Sequence, residues 1–248
     1  MNDHCTQTIG KMKENNINMH WPKIELPAGF EDAESYLRHF VEEGAKRKYG
    51  DIDSLVSERV ENELRHFKGY EPYFLVIHEL VEFCKSQQIF ISAFFRSATC
   101  SIVNYCLGIT TVDPIRNGLS FEHFFLNTYM NSPYYTLAVE MDDLRLLVYH
   151  LQKKYGFDCV SKVYDGYGDE KTYYGDSLRV PSVDSYCIFL FDEPFKEAVG
   201  TILVDGLFLS EKEEIPKYSK EILDELGYMH IEFRPCDGPD DIIDDLSE

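Results

Sequence analysis

The side chains of this chain that could do chemistry are few, and their spacing matches no familiar reaction centre. Eight histidines (His4, His20, His39, His66, His78, His123, His150, His230) are scattered. They form no HExxH pair and no Cys/His spacing of a zinc site. Ser97 and Cys100 with His123 supply the residue types of a nucleophile and a base, but no orienting motif accompanies them. No GxSxG and no Walker A sequence occurs. Glu140 closes a β-rich stretch, and Asp142–Asp143 follow it where a helix should begin. Carboxylates there accept free backbone N–H groups and favour the positive end of the helix dipole. The basic run Lys46, Arg47, Lys48 is the candidate for nucleic-acid contact. The tyrosines at 134, 135, 164, 167, 173 and 174 read as strand and core residues rather than a base-stacking platform.

Composition narrows the classes. The 248 residues are 44% apolar, enough for a sizeable core, and carry 24 basic against 44 acidic side chains, a formal charge of −20. That field repels phosphate backbones, so DNA is disfavoured as a partner and protein is the expected one. Seven cysteines without a CxxC pair lie mostly in apolar segments, as free thiols of a reducing compartment do. The polar start lacks the apolar run of a signal peptide, and no window approaches a membrane span. A soluble, cytoplasmic protein without a membrane partner is expected.

The elements that must position these residues follow from periodicity. Residues 1–22 are weakly patterned and expected to be flexible up to Trp21–Pro22. A helix opens near Glu31–Asp32, with Tyr36, Leu37, Phe40, Val41 and Gly44 at inward spacing. A second spans about 52–68 with Leu55, Val56, Val60, Leu64 and Phe67 inward, ended by Gly69. A third begins at Pro72 and is apolar enough for burial on most faces, so His78 within it reads as a core residue. Then come a strand over 89–92, a helix over 96–107 closed by Gly108, turns at Asp113–Pro114 and Asn117–Gly118, and a strand over 135–141. A helix running to Tyr155 follows, with Leu144, Leu147, Val148 and Leu151 inward, and then a strand over 159–164. The glycine- and tyrosine-rich stretch 165–176 reads as a joint. Beyond it, strands at 185–191, 201–209 and 229–234 and a helix over 216–226 precede the acidic tail 237–248.

Four segments in order, LPAGFEDAESYLRHFVEEGAKRKYG, VENELRHFKGYEPYFLVIHELVEFCKSQQI, SIVNYCLGITTVDPIRNGLSFEHF and YHLQKKYGFDCVSKV, resemble the alpha subunit of bacterial DNA polymerase III, the C-family replicative polymerase. The resemblance covers about residues 26–163, its thumb and palm. It implies an α+β fold: a thumb-like helical part and a nucleotidyltransferase-like palm with a mixed sheet, related to polymerase beta, followed by a C-terminal α/β extension. The implied organisation is a flexible segment over 1–22, a thumb and palm domain over 23–165, an extension over 166–236 and the tail.

In that family a GPGRGS turn approaches the nucleotide phosphates, because glycine lets the backbone come close and helix N-terminal N–H groups favour anions. Here the turn falls on Ser92, Ala93, Phe94, Phe95, Arg96 and Ser97, and only Ser97 matches. The family's Asp-x-Asp-x-Asp strand places carboxylates on one face, about 7 Å apart, to hold two magnesium ions. Those positions read Tyr134, Thr136 and Ala138. Two further positions, commonly arginine in the family, read His123 and Tyr129. The scaffold residues Tyr105, Leu107, Gly108, Ile109, Asp113, Pro114, Gly118, Phe121, Glu122 and Phe124 remain. The resemblance with these departures implies an inactive polymerase III alpha-like protein that holds no Mg²⁺ or other cofactor and acts through a macromolecular partner, with a link to DNA replication. Two alternatives stand beside it: a nucleic-acid-binding remnant using Lys46–Lys48, Arg59 and Arg65, and a transferase with its metal site relocated to Glu140 and Asp142.

Overall fold

The computed structural model describes residues 19–93, 96–126, 136–163, 186–205 and 212–236. It is a mixed α/β protein in two compact units, the first with Ile24–Ala138 and the second with Ile17–Lys23 and Val139–Cys236. A five-stranded sheet runs in the order β1-β2-β7-β4-β3, with β1 Ile91–Ala93, β2 Thr136–Glu140, β3 Val160–Val163, β4 Tyr186–Leu190 and β7 Met229–Cys236. A separate antiparallel pair joins β5 Thr201–Asp205 to β6 Lys212–Pro216. Among the described residues no helix is long and apolar enough to cross a membrane.

The first unit is mainly helical. Helix α1 (Ala33–Tyr49) starts at a capping box: Ser35 N–H donates to Asp32 Oδ1 at 2.8 Å, and Asp32 N–H donates back to Ser35 Oγ. Asp53 caps α2 (Ser54–His66) through the Val56 N–H, 2.9 Å away. Helix α3 (Glu71–Gln87) carries proline in its first turn and is buried along most of its length, from Tyr73 to Cys84. It is the apolar axle of this unit, and α1 packs against it. His78 lies in that core with its Nδ1 3.0 Å from the Leu107 carbonyl, and burial holds its pKa below the usual histidine range. Phe67 meets Phe74, Phe121 and Phe124 at centroid distances of 4.4, 5.5 and 5.2 Å, tying α2 to α6 (Glu122–Leu126).

Two details depart from the periodicity. Leu55 is 58% exposed, and the inward place further along α2 goes to Glu63, which is fully buried. The continuous helix expected over 96–107 is two short ones, α4 (Arg96–Thr99) and α5 (Ile102–Leu107). Ser101, in an extended conformation, interrupts them and caps α5 through the Asn104 N–H. Gly108 closes α5 at φ 77°, the left-handed conformation that favours glycine.

In the second unit β3, β4 and β7 form an antiparallel meander in space, with Lys162 opposite Ile188 and Ile188 opposite Ile231. Alternation sends Ile188 and Ile231 to one face and Cys187, Phe189, His230 and Glu232 to the other. Helix α7 (Met141–Tyr155) buries Leu144, Leu147, Val148 and Leu151, as its spacing predicts, and packs on β3 and β7. Cys187, Phe189 and Phe191 share a core with Leu223 of α9 (Lys220–Glu225) and Tyr228, and Phe195 of α8 (Phe195–Ala198) packs against it. His20 is bound into this unit: its N–H donates to the Gly227 carbonyl at 2.8 Å and its ring stacks on Tyr228. The helix expected from Pro216 begins only at Lys220, because Lys212–Pro216 pairs as β6 despite holding a single large aliphatic residue, Ile215.

Within the first unit α1 and α5 touch backbone to backbone at Gly44. A Cβ there would lie 2.1 Å from the Cys106 carbonyl oxygen. Alanine improves helix propensity by about 1 kcal/mol, but overpacking against rigid backbone costs about 1–3 kcal/mol or more. Gly44→Ala should therefore lower the urea unfolding midpoint by a net loss of about 2 kcal/mol at unchanged m-value.

Candidate functional site

The sequence positions matching a phosphate turn begin at Ser92, half-buried in β1, and end with Arg96 and Ser97 at the start of α4. Phe94 and Phe95 lie outside the described residues. What holds the chain just beyond this segment, from Cys100 to Val103, is charged and buried. Arg59 Nε donates to Glu63 Oε1 at 2.6 Å, and Glu63 Oε2 accepts from Ser101 Oγ at 2.7 Å and from the Val103 N–H at 3.1 Å. The same Arg59 donates through Nη2 to the Cys100 and Leu119 carbonyls, at 2.7 and 3.2 Å, with its guanidinium 5.6 Å from the Phe121 ring centroid. Burial pushes the Glu63 carboxyl above the usual range, against the pull of Arg59, Ser101 and the Val103 N–H.

Tyr134 lies outside the described residues. Thr136 and Ala138, at the other two carboxylate-matching positions, are buried in β2 at 3% and 0% exposure, and Leu137 and Val139 between and beyond them are buried as well. Both faces of this part of the strand are therefore covered. Glu140 and Asp142 are exposed at the start of α7, and Glu140 makes no capping hydrogen bond. These two acids do not belong to any convergent group of three ligand-bearing side chains among the described residues.

The basic run on α1 lies at the surface, with Lys46 and Arg47 exposed, and each of the three has a neighbour. Lys46 pairs with Glu43 at 3.1 Å, Arg47 Nη2 donates to the Cys106 carbonyl at 3.4 Å, and Lys48 Nζ lies 4.4 Å from the Tyr105 ring centroid. Asp113 accepts from Tyr49 Oη at 2.8 Å and from the Ile115 and Arg116 N–H groups, so this turn residue organises its own loop. Burial raises the Cys100 thiol, which disfavours the nucleophilic thiolate, and His123 stands exposed on α6.

One convergence escaped the reading of spacing. In the second unit Cys187, His230 and Glu232 bring sulfur, nitrogen and oxygen atoms within 4.8 Å of one another. Cys187 sits opposite Glu232 across the β4–β7 ladder. The signal available in the sequence was the alternation His230-x-Glu232 in a β-rich run; the cysteine lies more than forty residues earlier and no local spacing links it.

The profile of the bacterial DNA polymerase III alpha NTPase domain matches residues 35–185. The chain is 37% identical to an error-prone DNA polymerase of Symbiobacterium thermophilum over 147 residues, which are 57% of this chain and 13% of that protein. An error-prone DNA polymerase of Alkalilimnicola ehrlichii is 33% identical over 157 residues, 62% of this chain and 15% of that one. The DNA polymerase III subunit alpha of Borreliella burgdorferi is 29% identical over 209 residues, 82% of this chain and 17% of its own length. This chain belongs to the bacterial DNA polymerase III alpha family. It spans only about a sixth or less of the length of these relatives, and the likeness to the Borreliella protein extends past the span of the profile.

The charged network predicts a steep response at Arg59. Removing one partner of a buried pair leaves an uncompensated charge, at a cost of about 3–5 kcal/mol. Arg59→Met should lose that much stability in urea unfolding at neutral pH. Because the folded-state pKa of Glu63 is raised, its contribution is in place below the ordinary glutamate value of about 4.3 and is lost as pH rises through the raised one. Without Arg59 the raised value is higher still, so the deficit of the variant should narrow on acidification from neutral pH.

Proposed function

We propose that this chain is a catalytically inactive polymerase III alpha-like protein, a thumb-like helical part with a nucleotidyltransferase-like palm, that acts by binding another protein. The observation that carries this reading is β2. The positions that match the family's metal carboxylates hold a buried threonine, Thr136, and a buried alanine, Ala138, neither of which offers the hard anionic oxygen that Mg²⁺ requires. The engagement of Lys46, Arg47 and Lys48 with Glu43, the Cys106 carbonyl and Tyr105 supports the preference for protein over DNA, as does the formal charge of −20. Such a charge favours a partner with a basic face and a salt-dependent association rate.

Primer extension by the purified chain in Mg²⁺ or Mn²⁺ tests this. No incorporation is expected, and neither ion should give a saturable rise in melting temperature. Incorporation abolished by Glu140→Ala would overturn the inactive reading and favour the relocated site at Glu140 and Asp142. Micromolar binding to a primer-template with a steep salt slope would overturn the preference for a protein partner.

A further inference from the structure

The Cys187, His230 and Glu232 side chains point to the same face of the β4–β7 ladder, and the alternation of the strand sets His230 and Glu232 side by side there. Cys187 and His230 are each 3% exposed, and Glu232 stands at the edge of the buried region. Helix α9 adds two charged groups to the same cluster. Asp224 Oδ1 lies 2.8 Å from His230 Nδ1, and Lys220 Nζ lies 3.4 Å from Glu232 Oε2.

We propose that these residues form a binding site for a divalent ion of the zinc class, held by Cys187 Sγ, His230 Nε2 and a Glu232 carboxylate oxygen. The donor set selects the metal. A thiolate, an imidazole and a carboxylate are zinc ligands, whereas Mg²⁺ takes oxygen alone. Asp224 Oδ1, 2.8 Å from Nδ1, stands where a carboxylate behind a metal-bound imidazole sets its direction, and Nε2 is then the proposed ligand atom. Charge balance agrees. The thiolate and the Glu232 carboxylate neutralise a doubly charged ion, and Asp224 and Lys220 offset one another, so the loaded cluster is neutral inside the fold.

Distance agrees as well. Ligand atoms around tetrahedral zinc stand about 3.5 Å apart. The spread here, within 4.8 Å, closes by rotation of the partly exposed Glu232 side chain while the ladder holds Cys187 and His230. Three protein ligands leave a fourth position for water or for a donor from a partner. The competing account is a core cysteine beside a His230–Asp224 pair, with Glu232 set opposite Cys187 by strand register and paired to Lys220; uptake of metal separates the two accounts. This site is independent of the inactive-polymerase reading, since it shares no residue with the positions that reading concerns.

Cobalt titration of this chain, freed of metal with a chelator, tests the proposal. One equivalent of Co²⁺ should bind with a sulfur-to-cobalt charge-transfer band, Zn²⁺ should displace it, and excess Mg²⁺ should not. Cys187→Ser should remove the band, and Cys159→Ser, outside the cluster, should retain it. Asp224→Asn should weaken affinity by about 10–100-fold while leaving stoichiometry intact. Should Cys187→Ser fail to fold by circular dichroism, Glu232→Gln, altered at the partly exposed ligand, must weaken affinity instead. No stoichiometric uptake by the folded chain, or a cobalt spectrum indifferent to these substitutions, would overturn the site.

Discussion

One buried carboxylate organises the first unit. Glu63 sits on the inner face of α2 with no exposed surface, where an unpaired charge is not tolerated, and its oxygens must be met by donors. Arg59 meets one from a turn earlier on the same helix, and Ser101 and the Val103 N–H meet the other from the start of α5. The consequences spread outward. Arg59 is drawn inward far enough to bind the Cys100 and Leu119 carbonyls, which ties α2 to both the connection before α5 and the loop after it. Ser101 serves Glu63 and the Asn104 N–H together, a double duty that requires the extended conformation separating α4 from α5.

Other positions of the first unit are held by simpler local demands. Gly108 makes the left-handed turn that closes α5, Asp113 holds the loop beyond it, and Gly44 lets α1 approach the Cys106 carbonyl. These are demands of shape: a positive φ, a satisfied N–H, a missing Cβ. Thr136 and Ala138 are demands of packing, small enough to be enclosed on a strand covered on both sides. A carboxylate at either place would have to be paired, hydrated or bound to metal.

The second unit shows how a sheet with two buried faces assembles what sequence distance hides. One face carries Ile188 and Ile231; the other carries Phe189 in the apolar cluster beside Leu223 and Tyr228. Cys187, His230 and Glu232 occupy that second face too, with Asp224 and Lys220 delivered by the helix laid over it. A polar group in such a position is confined to the partners the ladder provides.

Periodicity by itself determined the helical first unit, the inward stripe of α7, the core role of His78 and the glycine stop at Gly108, because these follow from local rules of face and turn. The family resemblance, carried by ordered words, was equally legible. Four matters were decided only by tertiary structure. Leu55 lies outward and Glu63 inward, because a partner from α5 can satisfy a carboxylate that hydropathy alone assigns to solvent. The break at Ser101 falls where its hydroxyl serves both the Asn104 N–H and a carboxylate on another helix. Lys212–Pro216 becomes β6 because Thr201–Asp205 offers it a ladder, which its own composition does not announce. Cys187 meets Glu232 through strand register, a relation between segments that no local spacing encodes.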